Sequence, residues 1–153
     1  MIAAEVMNVA PDFGHLEPML DAAQHELAAV GVDEIPDVLV ADAGYWHGEQ
    51  MQRIAERGIE VLIPPDTSRR RTTRRNWEGG RYDQMRQVLA SERGGELYRK
   101  RQPMIEPVFA QMKFNRGLDR FRRRGRGAVR AEWRLITATH HLLKLHRHTL
   151  AAA

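Results

Sequence analysis

The chain has 153 residues, with 24 Lys or Arg against 20 Asp or Glu, so its formal net charge at pH 7 is +4. It contains no cysteine, which excludes a disulfide framework and a thiolate metal site. No apolar run approaches the ~20 residues that span a bilayer, and no secretory signal opens the chain. We therefore expect one domain in the cytoplasm, without a membrane partner. The basic excess lies in two arginine-rich stretches, which favours a polyanionic partner.

The first third of the chain predicts a strand followed by an amphipathic helix. Residues 1–9 have the pattern of a strand, and Pro11-Asp12 then indicates a turn. Apolar residues recur afterwards at helical spacing, namely Leu16, Leu20, Ala23, Leu27 and Val30. We expect Asp12 to cap this helix and Gly31 to end it.

The next segment predicts a βαβ unit. Residues 38–41 form an apolar run typical of a buried strand, residues 48–57 predict a polar helix, and residues 59–63 predict a second strand closed by two prolines. A helical crossover between two strands of one sheet pairs them in parallel. Asp42, which comes directly after the first strand, should therefore lie at the carboxyl edge of that sheet, where α/β folds place chemistry.

The second half predicts an insertion and two helices. Residues 66–95 are polar and arginine-rich, with glycine pairs around a short helix at 83–91, and we expect a mobile insertion there. A helix then carries Glu106 and should begin no earlier than about Met104, because Pro107 is tolerated only in a first turn. Residues 120–130 are basic and lead to a last helix with a stripe of Val129, Trp133, Ile136, His140 and Leu143. Trp133 is most simply a core residue.

Glu106 and Lys113 are the strongest candidates for chemistry on the later helix. They are seven residues apart, which is close to two helical turns, so both side chains should point to the same side of that helix. Tyr98 and Arg101 precede them in a basic run. This carboxylate among cations makes Glu106 the candidate chemical centre of the helix.

Each of these residues also has a structural alternative. Asp42 could be a turn former that bonds its own backbone, and Glu106 could be a first-turn acid that complements the helix dipole. Tyr98, Arg101 and Lys113 could form a solvated basic face, or they could hold phosphate. The residue pattern alone leaves these alternatives open.

The two segments together resemble the DDE transposases of bacterial insertion sequences. In that family a strand ends in the second catalytic Asp, often within Ala-Asp-x-Gly-Tyr, and residues 41–45 match this motif at Asp42. The catalytic Glu lies in a Tyr-x2-Arg-x3-Glu-x6-Lys signature, which Tyr98, Arg101, Glu106 and Lys113 match, except that four residues separate the Arg from the Glu. The resemblance covers nearly the whole chain.

The resemblance implies an α/β domain with an incomplete RNase H-like (retroviral-integrase-like) fold. We expect a short mixed sheet of about three strands flanked by helices, with the arginine-rich insertion at 66–95 before the Glu-bearing helix. The family's first catalytic Asp lies on an opening strand that has no counterpart here, so residues 1–153 are expected to be the C-terminal portion of the catalytic domain. Asp12 is a candidate replacement for that acid, although helix capping explains it more simply.

The implied activity is cleavage and transfer of DNA strands with Mg²⁺ or Mn²⁺. Asp42 and Glu106 would be metal ligands, and Lys113 would join them as a catalytic residue, since two-metal phosphoryl transfer needs acids from separate elements. With one acid missing, we expect this polypeptide to be inactive alone. The alternatives are a non-catalytic remnant that binds transposon ends or full-length transposase, and an unstable fragment without a role. Expected partners are DNA, both transposon ends and target, and a second transposase chain.

Further candidates for DNA contact lie in the arginine-rich stretches. The insertion carries an aromatic residue, Trp77, behind five cations that suit phosphate contact, namely Arg69, Arg70, Arg71, Arg74 and Arg75. Residues 120–126 have a similar but weaker claim. Seven histidines raise the question of a zinc site, but no two of them lie at i and i+4, and we interpret them as structural or solvated.

Overall fold

The computed structural model describes residues 2–3, 5–6, 12–66 and 76–152. They form two compact units, which are described separately below. The first unit is Ala10–Met104, and the second combines Met1–Val9 with Ile105–Ala153.

The first unit contains the predicted βαβ arrangement. Helix α1 (Leu16–Ala28) precedes strand β1 (Val38–Val40), helix α2 (Gly48–Glu56) and strand β2 (Glu60–Leu62). The two strands pair in parallel, with Val38 opposite Glu60 and Val40 opposite Leu62, which confirms the predicted topology. The described residues contain this two-stranded sheet and not the expected three strands. Residues 2–3 and 5–6 are not in a strand, and the rest of 1–9 is not described.

The core of the first unit lies between α1, α2 and the sheet. Ile54, Ile59 and Ile63 are fully buried and form one cluster with Leu16, Leu20, Trp46 and Val61. The buried amide of Gln50 joins α2 to the start of α1, since it donates to Gly14 O at 2.7 Å and accepts from Glu17 N at 3.3 Å. Both helices are therefore fixed on one side of the strands.

The start of α1 differs from the prediction for Asp12. Its N-cap is His15, which makes no side-chain capping bond, and Asp12 contributes only its carbonyl oxygen, which accepts from His15 N at 3.2 Å. The expected capping role of the Asp12 carboxylate is wrong. The predicted end of α1 is correct, because Gly31 adopts a φ of 78° and lets Val32 N reach Leu27 O at 3.0 Å.

The short helix expected at 83–91 within the insertion is present and begins three residues earlier. Helix α3 spans Gly80–Ala90, and its Tyr82 stacks on Trp77 and Trp46 at centroid distances of 4.9 Å and 5.2 Å. Arg86 binds the carboxylate of Asp66 at 2.8 Å and the carbonyl of Trp77 at 2.7 Å. These contacts attach α3 to the core. Residues 67–75 lie outside the described residues.

Helix α4 spans Glu92–Ala110 and so begins twelve residues before the predicted start near Met104. Ser91 separates it from α3, and its hydroxyl accepts from Gly94 N at 3.1 Å as a helix cap. Gly94 and Gly95, the second of the two glycine pairs expected to act as helix breakers, lie in the first turn of α4. The prolines at 103 and 107 remove two helical hydrogen bonds, but residues 102–107 are exposed, so water can bind the freed carbonyl groups.

The second unit consists of the end of α4, a π-helical turn (Gln111–Asn115) and helix α5 (Arg126–Ala152). Gly117, at a φ of 62°, ends the π-helical turn and brings Leu118 N to Met112 O at 3.0 Å. Arg116 then binds Thr139 Oγ1 at 2.6 Å and Ile136 O at 3.3 Å, which holds this turn against α5. None of the described helices is long and apolar enough to cross a membrane.

The predicted stripe on the last helix is confirmed. Ile136 and His140 are buried, and Val129, Trp133 and Leu143 are partly buried. Trp133 is nevertheless not a simple core residue, because its ring contacts the exposed Phe109 and Phe121.

Gly94 should tolerate no side chain. A methyl group built on it would lie 2.0 Å from the carbonyl oxygen of Val88, so the close approach of α3 and α4 depends on this glycine. We expect Gly94→Ala to lower the free energy of unfolding by about 1–3 kcal/mol or more, measured by urea titration. Gly48→Ala is the matched control in the same unit, since its new methyl meets only Arg81 at 3.9 Å. Equal stabilities of the two variants would contradict the clash.

His140 should make the second unit sensitive to acid. Burial lowers the pKa of this imidazole, and the nearby His141, Lys144 and Arg116 lower it further. The unfolded chain, with a histidine pKa of about 6.5, then binds protons at a pH where the folded chain does not. The free energy of unfolding should fall as the pH drops below about 7, as urea titrations at several pH values can measure. His140→Leu should flatten this slope, and His148→Leu, an exposed control on the same helix, should keep it.

Candidate functional site

Asp42 lies at the carboxyl end of β1, as predicted. The chain leaves the strand there and enters a 3₁₀ turn (Ala43–Tyr45), and Asp42 Oδ1 accepts from Gly44 N at 3.0 Å. Through this hydrogen bond Asp42 acts as a turn former, which is the structural alternative that the sequence left open. It uses one carboxylate oxygen, and the side chain remains 49% exposed, so Oδ2 is available to a ligand.

Arg101 is positioned beside that second oxygen. Its Nη1 lies 3.8 Å from Asp42 Oδ2, too far for a hydrogen bond but close enough for electrostatic attraction. The guanidinium carbon is 5.6 Å from the ring centroid of Tyr98, which lies one turn earlier on α4. Arg101 Nε is buried without a hydrogen-bond partner among the described residues. The strand-end acid and the Tyr and Arg of the α4 signature thus form one group within the first unit.

Asp12 contributes a second carboxylate next to Asp42. A methyl group built on Gly44 would lie 3.1 Å from Asp42 Oδ1 and 3.2 Å from Asp12 Oδ2. The two oxygens are therefore at most about twice that distance apart, and Gly44 leaves room between them. Burial raises the pKa of Tyr45, and the negative charges of Asp12 and Asp42 raise it further. The sequence offered only a weak signal for this pair, since Asp12 and Asp42 are 30 residues apart.

Glu106 and Lys113 belong to the second unit. Glu106 is exposed on α4 and makes no hydrogen bond or ion pair within the described part of the chain. Lys113 is also exposed, but it lies in the π-helical turn and not in a continuous α-helix. A π turn takes more residues than an α turn, so the side chain of Lys113 is rotated from the position that ideal helical spacing predicts. Such turns often mark functional sites.

The structure does not bring all the predicted site residues into one described group. Asp42, Tyr98 and Arg101 lie in the first unit, and Glu106 and Lys113 lie in the second. Within residues 2–3, 5–6, 12–66 and 76–152, no three His, Cys, Asp or Glu residues form a cluster able to hold a metal ion. The convergence of Asp42 and Glu106 on one metal site stays a prediction.

The predicted DNA contacts have mixed placements. The insertion arginines Arg69, Arg70, Arg71, Arg74 and Arg75 lie outside the described residues. Trp77 is partly buried, with its ring 5.7 Å from that of Trp46 in the first unit's core, so its packing supports a structural role. Residues 120–126 are exposed, and the carboxylate of Glu132 fixes their backbone by accepting from Arg122 N and Arg123 N.

Comparison with known proteins identifies the family. A model of the transposase DDE domain matches residues 64–146, which is more than half of the chain. The match includes the whole Tyr98 to Lys113 signature and most of α5, and it begins after Asp42. No curated protein matches the chain, and no solved structure does. With the signature residues and the family match in agreement, the chain belongs to the DDE-domain transposases.

Proposed function

We propose that this chain carries part of the catalytic machinery for metal-dependent cleavage and transfer of DNA strands. Membership of the transposase family makes DNA the expected substrate. The observation that carries the proposal further is the contact between Arg101 and Asp42, at 3.8 Å. It links an acid outside the matched region to the signature helix inside it, and a chance strand-end aspartate would not require such a link.

The donor set suits a hard divalent cation such as Mg²⁺ or Mn²⁺. Asp42 has one oxygen without a hydrogen bond among the described residues, and the exposed Glu106 carboxylate has both. Magnesium prefers carboxylate oxygens and keeps several water ligands, so few protein acids suffice. Asp42 and Glu106 would hold the metal, which would activate the attacking oxygen and stabilise the leaving one when bound. Asp12, beside Asp42, is a candidate for a third acid.

The basic residues have distinct roles in this proposal. Arg101 offsets the charge of Asp42 and, with Tyr98, presents a donor to a phosphate beside that acid. Lys113 would contact a DNA phosphate near Glu106. The insertion arginines and residues 120–126 would provide contacts that depend little on sequence.

The architecture proposed for residues 1–153 is a portion of an RNase H-like catalytic domain. The parallel β1 and β2, the crossover α2 and the acid at the end of β1 support it. Pairing with a second transposase chain is proposed as well. The alternative is a chain that binds DNA without cleaving it, and it predicts DNA affinity that is independent of divalent metals.

Metal binding tests the central proposal. We expect Asp42→Asn and Glu106→Gln each to weaken Mn²⁺ binding about tenfold or more, because each removes one charged oxygen ligand. The affinity of each variant for Mn²⁺ can be measured by titration, with electron paramagnetic resonance reporting the free Mn²⁺. Glu92→Gln, an exposed acid on the same helix as Glu106, is the control and should leave the affinity unchanged. If all three variants bind Mn²⁺ as tightly as the wild type, neither Asp42 nor Glu106 is a metal ligand.

DNA binding should depend on the insertion arginines. Replacing Arg69, Arg70, Arg71, Arg74 and Arg75 by Ala should weaken binding to a random-sequence duplex. It should also reduce the slope of log affinity against log salt by about 0.9 for each phosphate that the variant no longer neutralises. Fluorescence anisotropy between about 50 and 200 mM salt gives this slope. A slope equal to that of the wild type would show that these arginines do not contact phosphates.

A further inference from the structure

Helix α5 carries a second apolar stripe on the side opposite its buried residues. The buried residues of this helix are Ile136, Thr137 and His140. A different set of residues recurs at alternating spacings of three and four and, at about 100° per residue, faces the other way. This set is called the outer stripe here, and it consists of Ala128, Ala131, Leu135, Ala138, Leu142, Leu145, Thr149 and Ala152.

The outer stripe is accessible in the single chain. Leu135, Leu142 and Leu145 are 66%, 65% and 64% exposed, and Ala131 and Ala138 are exposed as well. Single exposed leucines are common on protein surfaces, but three in one line form a continuous apolar strip. An alternation of three and four over more than three heptads is the pattern of a helix that pairs with another helix.

The sizes of the side chains in the outer stripe fit a second copy of α5 that runs antiparallel to the first. With the two helices centred on one another, each contact layer joins one leucine to one alanine of the other copy. These layers are Ala128 with Leu145, Ala131 with Leu142, and Leu135 with Ala138, and the two-fold axis repeats each of them. Large residues opposite small ones interdigitate without gaps. A parallel pair would instead place leucine on leucine and alanine on alanine.

The residues beside the outer stripe also favour a second copy over a charged partner. Arg134 binds the carboxylate of Glu5 at 2.8 Å, and the carboxylate of Glu132 accepts from Arg122 N at 2.9 Å. The charges at these two positions are therefore offset within their own chain. The stripe itself contains no charged residue, so it offers nothing to a DNA phosphate or to an acidic peptide.

We propose that the outer stripe of α5 is the interface between two copies of this chain, paired antiparallel about a two-fold axis. The paired length from Ala128 to Leu145 is roughly 26 Å at 1.5 Å per residue. A two-helix contact of this length is a small interface, so the pairing is reversible and of moderate affinity. The proposal rests on the proposed function in one respect, since it assigns a surface to the pairing with a second transposase chain. The pairing itself requires neither DNA nor metal.

Sedimentation equilibrium of the full 153-residue chain, without DNA or divalent metal, tests the proposal. We expect a reversible equilibrium between monomer and dimer with a dissociation constant of about 1–100 μM. Leu142→Glu should weaken the dimer about tenfold or more, because it places a carboxylate in an apolar contact opposite Ala131. Leu150→Glu is the matched control, since Leu150 is 65% exposed on the same helix but lies outside the stripe and beyond the paired length. Circular dichroism checks that both variants are folded.

Disulfide trapping tests the direction and register of the pair. The chain has no cysteine, so a single introduced thiol reports on its own position. A mixture of Ala131→Cys and Leu142→Cys, one of them tagged to change its mass, should form mainly the mixed disulfide on mild oxidation. The two positions face each other in the antiparallel pair, and a disulfide requires Cβ atoms within about 4.5 Å. Either variant alone should remain largely reduced.

The outcomes separate this proposal from the proposed function. A chain that stays monomeric up to about 100 μM, well above the concentration expected for pairing, overturns the interface. A dimer that Leu150→Glu weakens as much as Leu142→Glu also overturns it, and disulfides mainly between identical variants overturn the antiparallel register. A chain that forms the expected dimer but binds neither Mn²⁺ nor DNA supports the interface and overturns the proposed function alone.

Discussion

The parallel pairing of β1 and β2 is the constraint on which the arrangement of the first unit depends. A parallel pair requires a crossover, and α2 provides it, so both strands present their carboxyl ends at the same edge of the sheet. Asp42 follows β1 at that edge and begins a tight turn. Leu16, Leu20 and Ile54 pack α1 and α2 against one side of the sheet, and this packing supports the strand from which the turn starts. The acid is held by its own backbone bond to Gly44 and approached by Arg101.

The close contact between α3 and α4 places the signature helix. Ser91 ends one helix and caps the next, and Gly94 allows α4 to pass the carbonyl of Val88 without a side chain between them. Since Arg101 follows on the same helix, its position beside Asp42 depends on this junction. The aromatic contacts of Tyr82 with Trp46 and Trp77 attach α3 to the same core. Helix α4 therefore combines a junction that the fold requires with residues that are proposed to act in the site.

The second unit contains both tightly packed residues and an open cavity. Arg116 and the buried stripe of α5 stabilise it, whereas Phe109, Phe121 and Trp133 leave an open cavity beside basic residues. Stability alone would favour closing such a cavity, because exposed aromatic surface has a cost in water. The π-helical turn that carries Lys113 lies at this cavity.

The sequence by itself determined the periodic elements and the signature residues, because apolar spacing and local turn chemistry act over a few residues. It predicted α1, α2, the parallel strands, the stripe on α5 and the family to which Glu106 and Lys113 point. It misplaced the start of α4, since the prolines at 103 and 107 are weak evidence where carbonyl groups can reach water. It also misassigned Asp12. Only the tertiary structure brought Asp12 and Arg101 to Asp42, packed Trp77 into the core and left Phe109 and Phe121 open, because each contact joins residues distant in the chain.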